Sequence, residues 1–189
     1  KTGLNSSLTD AFLGRGLDLL VTADPISREP QLDRVKLLRD PFLVIAPSSA
    51  QGKNIQSLAR DLPFIHYSPD SLIGGQTDII AHRVNIEFDA QFELDSTQSL
   101  MQFVGAGYGW AILSALCLVR YEHLLDGISI VDLENGKHAR EISLVSRRQE
   151  IEQLPEQIAR VCSENFNRNV TTKFNRIAPW VNQQCFKLC

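Results

Sequence analysis

The stretch 95-DSTQSLMQFVGAGYGWAILSA-115 carries three glycines two residues apart, as many nucleotide-binding loops do. In a dinucleotide-binding unit the glycines follow a strand and begin a helix. In this stretch the apolar spacing over residues 100–104 predicts a helix before the glycines, with Asp95 as its N-cap, and "WAILSA" predicts a buried strand after them. We therefore predict that Gly105 or Gly107 ends a helix in the left-handed conformation and that neither binds phosphate.

The same order of helix, glycines and strand occurs near the start of the chain, in 8-LTDAFLGRGLDLLVTADP-25. The two stretches align without a gap, so that Phe12 matches Phe103 and Gly16 matches Gly107. One interpretation is the ordinary likeness of any two αβ units, because glycine caps are common. The other is a chain of two similar α/β lobes.

The remaining sequence alternates between strand and helix patterns, which favours an α/β fold with a parallel or mixed sheet. "IEFDAQFEL", for example, alternates apolar and polar residues with the period of a strand. The predicted order is two strands, "VKLL" and "PFLVIAP", helix "IQSLARD", strand "PFIHYS", loop "PDSLIGG", helix "TDIIAHRV", strand "IEFDAQFEL", the opening unit, helix "CLVRYEHLLDG", strands "ISIVDL" and "REISLVSRR", and a helix from about Leu154.

Composition restricts the classes of function. With 189 residues, 43% of them hydrophobic, the chain can bury a substantial core. A net charge of −3 argues against nucleic-acid binding by this chain itself. No apolar run reaches the ~18 residues of a membrane span, so we expect no membrane association. "KTGLNSSLTD" is not typical of a signal peptide.

Residue types that commonly carry catalysis or bind metals show none of the usual spacings. The histidines have no metal-binding pattern, and no nucleophile elbow or Walker loop occurs. We interpret all four cysteines as free thiols, with a redox switch of Cys185 and Cys189 as a minor alternative. The sequence therefore predicts no enzyme, no metal and no cofactor. The residues concerned are His66, His82, His123, His138, Cys117, Cys162, Cys185 and Cys189.

Polar side chains instead follow three predicted strands. In open α/β sheets, ligands bind beyond the carboxyl ends of strands, and helix N-termini offer unpaired N–H groups to anions. For each residue singly, the alternative is that its side chain simply caps a helix. As a set of three convergent strand ends they predict an effector-binding site. The candidate residues are Thr22, Ala23, Asp24, Tyr67, Ser68, Ser71, Asp95, Ser96 and Thr97.

The segments "GRGLDLLV", "PFLVIAPSS", "PFIHYSPDS" and "ELDSTQSLMQFVGAGYGWAILS", in this order, resemble the effector-binding domain of LysR-type transcriptional regulators over about residues 4–165. The last segment is the most specific. Val104, Gly107, Gly109 and Leu113 stand near that family's V-x-x-G-x-G-x-x-x-L pattern.

The resemblance implies an α/β fold of the type 2 periplasmic-binding-protein-like class, in which two α/β lobes are joined by two crossover strands. The crossovers would fall near "VIAPSS" and "ARE". Residues 1–46 and 141–189 would form lobe I, and residues 47–140 would form lobe II. The family's lobe I normally begins with a strand, a helix and a second strand that this sequence does not show, and the DNA-binding helix-turn-helix is absent from it.

The function implied is a cytoplasmic, small-molecule effector-sensing domain of a bacterial transcription regulator. A small, anionic metabolite would bind in the interlobe cleft. Contacts within a homodimer or tetramer would pass the signal to a DNA-binding domain, and the pairing would use "LDLLV", the helix before it and the helix "TDIIAHRV". The nine candidate residues supply hydroxyls and amides to the cleft but no arginine that would fix a carboxylate.

Two alternatives belong to other classes. An extracytoplasmic solute-binding protein has the same fold, but free cysteines suit a reducing compartment better. An enzyme of related two-lobed shape, such as a deaminase or dehydratase, would need an acid–base or metal cluster that the sequence does not show.

Overall fold

The computed structural model describes residues 1–26, 31–88, 90–148 and 154–181. The helices are α1 Asn5–Leu13, α2 Ile55–Asp61, α3 Leu72–Arg83, α4 Thr97–Gly105, α5 Ala115–Arg120, α6 Leu154–Asn165 and α7 Thr172–Ile177, with a π-helical turn at Phe166–Thr171. The strands are β1 Leu19–Thr22, β2 Leu32–Pro47, β3 Phe64–Tyr67, β4 Ala90–Leu94, β5 Ala111–Ser114, β6 Ile128–Val131 and β7 Ala139–Arg147.

The 16-residue strand β2 runs through both halves of the molecule. Its residues 32–41 pair antiparallel with β7, whose other edge pairs antiparallel with β1. Its residues 42–47 pair antiparallel with β5 on one side and β6 on the other. We call the β1–β7–β2 half the first lobe and the β6–β2–β5 half the second lobe.

The second lobe extends beyond β5 through a short parallel bridge. Trp110, just before β5, pairs with Phe64 of β3. The Ile65 N–H donates to the Trp110 carbonyl at 2.8 Å, and β3 pairs in parallel with β4. The strands β6, β2, β5, β3 and β4 of the second lobe therefore lie side by side in this order.

Apolar side chains form separate cores in the two lobes. Phe12 of α1 and Val145 of β7 belong to the core of the first lobe. In the second lobe β2 is buried on both faces, as its unbroken apolar run requires. Its side chains alternate between two clusters. Leu43 and Ile45 face one cluster, and the other contains Phe42, Val44 and Ala46.

The prediction of two separate strands at "VKLL" and "PFLVIAP" is wrong, because β2 is continuous through Asp40 and Pro41. Asp-Pro in a sequence favours a turn. In the structure Asp40 pairs with Arg140 of β7, and the Phe42 N–H donates to the His138 carbonyl at 2.8 Å. The ladder therefore passes the proline without a break. β2 crosses from the first lobe into the second, and β7 begins at the same junction and returns the chain from the second lobe to the first, so we call these two the crossover strands.

The predicted loop "PDSLIGG" is wrong from Leu72 onward, since α3 begins at this residue. Ser71 is the N-cap, and its hydroxyl accepts a hydrogen bond from the Gly74 N–H at 2.9 Å. A Cβ at position 74 would lie only 2.1 Å from the Ser68 carbonyl oxygen. This glycine therefore permits a close approach of backbone inside a helix, although in sequence it is typical of a loop.

Two other predicted elements are shorter in the structure. β4 covers only Ala90–Leu94 of the predicted strand over residues 86–94. α5 ends at Arg120 and is followed by a 3₁₀ turn at Glu122–Leu124.

The two helix–glycine–strand units are present, one in each lobe, but their register differs by one residue from the sequence alignment. α1 and β1 correspond to α4 and β5 with a constant offset of 92 residues. The residue with positive φ after each helix is Arg15 (φ 62°) and Gly107 (φ 89°). The likeness of the two units is thus real, and Arg15, not Gly16, is the counterpart of Gly107.

Candidate effector cavity

A cavity of about 720 Å³ opens where α4, α5, the end of β3 and the crossover strand β7 meet. This volume is in the range of sites for small molecules. The lining residues are Tyr67, Ile73, Asp95, Ser96, Thr97, Leu116, Cys117, Val119, Arg120, Tyr121, Arg140 and Val170.

Four of the nine candidate residues line this cavity, namely Tyr67, Asp95, Ser96 and Thr97. The Tyr67 hydroxyl donates to the Asp95 carbonyl at 2.8 Å and so ties the end of β3 to the start of α4. Ser96, not Asp95 as predicted, is the N-cap of α4. Its hydroxyl accepts the Ser99 N–H at 3.4 Å.

Thr97 and α5 form the adjoining wall. The hydroxyls of Thr97 and Ser114 lie 3.8 Å and 3.5 Å from Cys117 Sγ, both placed to donate to the sulfur. The thiol therefore stands between two hydroxyl groups at the cavity surface. The start of α5 brings these groups together, because Ser114 ends β5 and Cys117 follows within one turn.

Ser68 and Ser71 do not line the cavity. The Ser71 hydroxyl donates to the Ser68 carbonyl at 2.6 Å while it caps α3. The Ser68 hydroxyl donates to Glu93 Oε1 at 3.0 Å. Both hydroxyls are thus engaged in holding the end of β3 against α3 and β4.

Thr22, Ala23 and Asp24 lie in the first lobe and also do not line the cavity. The Thr22 hydroxyl donates to Asn5 Oδ1 at 2.7 Å, and Asn5 Nδ2 donates to Asp24 Oδ2 at the same distance. The other Asp24 carboxylate oxygen accepts the Ile26 N–H at 2.9 Å. This network fastens the end of β1 to the N-terminus of α1.

The sequence interpretation missed Arg140, which brings a guanidinium to the cavity from the crossover strand β7. Its Nε donates to Asp40 Oδ2 at 2.9 Å, and its Nη2 donates to Ser114 Oγ at 3.1 Å. Asp40 Oδ1 accepts the Leu116 N–H at 2.9 Å. The pair therefore links both crossover strands to the start of α5.

Asp40 is completely buried. Burial raises the pKa of this carboxyl above its ordinary value, and the positive charge of Arg140 and the Leu116 N–H offset part of that effect. The sequence signal for this pair is weak, because the two residues are 100 positions apart and only the β2–β7 register places them opposite each other.

A second arginine lies at the rim. Arg120, the last residue of α5, has its guanidinium carbon 5.4 Å from the centre of the Tyr121 ring. Arg120 and Arg140, with the hydroxyls of Ser96 and Thr97, give the cavity hydrogen-bond donors of the kind that bind carboxylates and phosphates.

Metal binding and membrane insertion would each need a recognisable arrangement within the described residues. No three His, Cys, Asp or Glu side chains in that part of the chain are grouped so that they could hold a metal ion. None of its helices is both long and apolar enough to span a bilayer. Cys185 and Cys189 lie outside the described residues.

The chain belongs to the LysR substrate binding domain family, whose sequence model matches residues 1–164. This match confirms the predicted resemblance and, with it, the type 2 periplasmic-binding-protein-like fold. No curated protein sequence matches the chain.

Solved structures with this fold include regulators from several bacteria. The H2O2-bound C206S mutant of Corynebacterium glutamicum OxyR superposes with a TM-score of 0.75 at 20% identity, over 92% of this chain and 56% of that one. The regulatory domain of Salmonella typhimurium HypT gives 0.67 at 16% identity, over 89% and 81%. That of Synechocystis PCC6803 CcmR, in complex with 2-PG, gives 0.67 at 19%, over 87% and 80%. The chain thus spans little more than half the length of the OxyR chain.

Proposed function

We propose that this chain is the cytoplasmic effector-sensing domain of a LysR-type regulator and that its effector is a small carboxylate or phosphorylated acid bound in the cavity described above. The observation that carries the proposal is the position of Arg140. Its guanidinium reaches the cavity from a crossover strand, while Ser96 and Thr97 reach it from the second lobe. An anion that contacts both sides has different contacts in each arrangement of the lobes.

The effector would act by a shift of populations. A ligand moves an equilibrium between lobe arrangements only by its differential affinity for them. Tyr67, Asp95, Ser96 and Thr97 remain the proposed effector contacts, now with Arg120 and Arg140. Thr22, Ala23, Asp24, Ser68 and Ser71 would support the strand ends. DNA would be bound through a domain outside this chain.

The lobes would divide close to the predicted boundaries of residues 46/47 and 140/141. The pairing partner of β2 changes between Pro41 and Phe42, and β7 begins at Ala139. The family match favours a regulator over an extracytoplasmic solute-binding protein of the same fold.

Arg120 offers the cleanest test of the cavity, because replacing Arg140 would leave the buried Asp40 without its cation. A panel of small carboxylates and phosphorylated acids is first screened by thermal shift, and hits are measured by calorimetry. Arg120→Gln should weaken binding by about tenfold or more, since a charge-assisted hydrogen bond contributes roughly 1.5–3 kcal/mol.

The matched control is Arg60→Gln. Arg60 is also in the last turn of a short helix, α2, but lies away from the cavity. Its replacement should leave the affinity unchanged. Equal binding by the parent and the Arg120→Gln variant, or no stabilisation by any acid of the panel, would contradict the proposed site.

A further inference from the structure

Besides β2 and β7, the C-terminal helical segment also connects the two lobes. α6, the π-helical turn Phe166–Thr171 and α7 follow one another without a break. α6 packs against β2 and β7, whereas α7 packs against α5 of the second lobe. The family match ends at residue 164, so the turn and α7 lie beyond it.

The last part of this segment, from Phe174 to Val181, is anchored in the second lobe. The side chains of Phe174, Ala178 and Val181 are 1%, 1% and 3% exposed. They belong to the same apolar cluster as Leu43 of β2 and Leu118 of α5. Such burial contributes stabilisation through removal of apolar surface from water, so the docked position is not a weak surface contact.

An ion pair adds to the anchor. Lys173 Nζ lies 2.5 Å from Glu122 Oε1, in the 3₁₀ turn after α5. The hydrogen bond from Lys173 lowers the pKa of the Glu122 carboxyl. The pair therefore stays ionised to a lower pH than it would with an isolated glutamate.

The π-helical turn lies between the two anchored ends and faces the cavity. Val170, within this turn, lines the cavity together with Cys117 and Arg140. π-helical turns inside α-helices are rare, and those that occur are often found at functional sites. In this chain the turn brings an apolar, β-branched side chain to the edge of a site whose donors are contributed by other elements.

We propose that the π-helical turn Phe166–Thr171 forms one wall of the effector cavity and that Val170 restricts the size of this cavity. Ile73, Leu116 and Val119 supply the other apolar lining. An effector that fills the cavity would therefore place its anionic group near Arg140 and a small apolar group against Val170. The expectation of a small apolar group on the effector rests on the function proposed above. The wall at Val170 is tested without any ligand.

Cys117 serves as a built-in reporter, because its thiol lines the same cavity as Val170. The rate of its alkylation by N-ethylmaleimide is measured by peptide-resolved mass spectrometry in ligand-free protein. Val170→Ala should accelerate labelling by about fivefold and Val170→Phe should slow it by a similar factor, since thiol reactivity follows accessibility.

The matched controls are Val161→Ala and Val161→Phe, because Val161 is 64% exposed on α6 of the same helical segment. Both should leave the Cys117 rate unchanged. Circular dichroism and thermal unfolding check folding, and the milder Val170→Ala decides the matter if Val170→Phe does not fold. Unchanged Cys117 labelling in a folded Val170→Ala variant overturns the proposal.

A second measurement separates the wall from the ligand. Acetate, butyrate and benzoate are titrated into the parent and into the Val170 variants. Val170→Ala should shift the preference by about tenfold toward the larger acids, as one or two methylene groups in an apolar pocket allow. Altered labelling without binding of any acid would support the wall and count against the proposed effector class. Binding with unchanged labelling and unchanged preference would overturn the wall and leave the proposed function standing.

Discussion

The ion pair Asp40–Arg140 joins the cavity to the protein interior, because Arg140 lines the cavity and its partner Asp40 is buried. A buried carboxylate is costly unless it is paired and hydrogen-bonded. Asp40 meets that requirement with Arg140 and with the Leu116 N–H. Arg140 is therefore shared between a structural partner in the protein and any anion in the cavity, and the balance between the two depends on the charge of Asp40.

This sharing predicts a pH dependence of anion binding. Because burial raises the pKa of Asp40 above its ordinary 3.8, the carboxyl becomes neutral at a higher pH than an exposed aspartate. Neutralisation leaves more of the Arg140 charge for the ligand, so the affinity for an anion should increase as the pH falls through the raised pKa. Asp40 correspondingly favours folding most below its ordinary pKa, and this contribution is lost as the pH rises through the raised value.

Sulfate is the appropriate probe, since it keeps its charge over this range and any change reports on the protein. Its affinity is measured by calorimetry at a series of pH values for the parent and for Asp40→Asn. The variant should bind with little pH dependence. If both proteins show the same pH profile, Asp40 does not control the availability of Arg140.

At the scale of elements, local sequence patterns predict a helix or strand correctly where nearby residues alone determine it. α2 was predicted at its observed bounds, Ile55–Asp61, and the α4–turn–β5 unit was predicted in the correct order. The course of β2 through Asp40 and Pro41 was not, because only its pairing with β7 keeps it extended there. Local preference favoured a turn, and tertiary pairing overrode it.

The same distinction applies to the cavity. The sequence predicts Ser96 and Thr97, which line the cavity, because the end of a strand and the start of a helix are visible in it. Arg140 and Val170 reach the cavity through strand register and through the packing of the C-terminal segment. Neither leaves a periodic or compositional signal near the residue itself.

The turn after α4 predicts which of its glycines is needed for stability. Gly107 has φ 89°, whereas Gly105 is helical and a Cβ there would meet the Asp126 carbonyl oxygen at an ordinary 3.5 Å. Gly107→Ala should therefore lower the free energy of unfolding by about 1 kcal/mol, and Gly105→Ala should change it by a smaller amount or raise it. Urea denaturation measures both. A larger loss for Gly105→Ala would show that helix packing, not the left-handed cap, requires glycine.

At the scale of the whole molecule, β2, β7 and the helical segment from Leu154 to Ile177 each join the two lobes. The cavity lies beside all three, because Arg140 is on β7, Asp40 is on β2 and Val170 is on the segment. A ligand at this point would lie against β7 and the helical segment, and it would be linked to β2 through the Arg140–Asp40 pair. The position of the cavity is therefore suited to passing a small binding event to the whole domain.

The surface of the domain predicts how it pairs with a second copy. Val21 of β1, in the first lobe, and Ile79 of α3, in the second, are large apolar side chains that are 51% and 53% exposed. If two copies pair side by side and antiparallel, the β1 surface with Val21 of one copy is buried against the α3 surface with Ile79 of the other. We expect the parent protein to sediment as a dimer at micromolar concentration and Ile79→Asp to sediment as a monomer, because a buried, unpaired carboxylate opposes association.

Val161→Asp is the control for this pairing, since Val161 is 64% exposed but lies on α6, which is not one of the two pairing elements. It should remain dimeric at the same concentration. Analytical ultracentrifugation of the three proteins side by side distinguishes the outcomes. A dimer that survives Ile79→Asp and dissociates with Val161→Asp would place the interface on the C-terminal helical segment. In that case, association and the cavity wall at Val170 would share one element, and effector binding would act on the dimer through that segment instead of through α3.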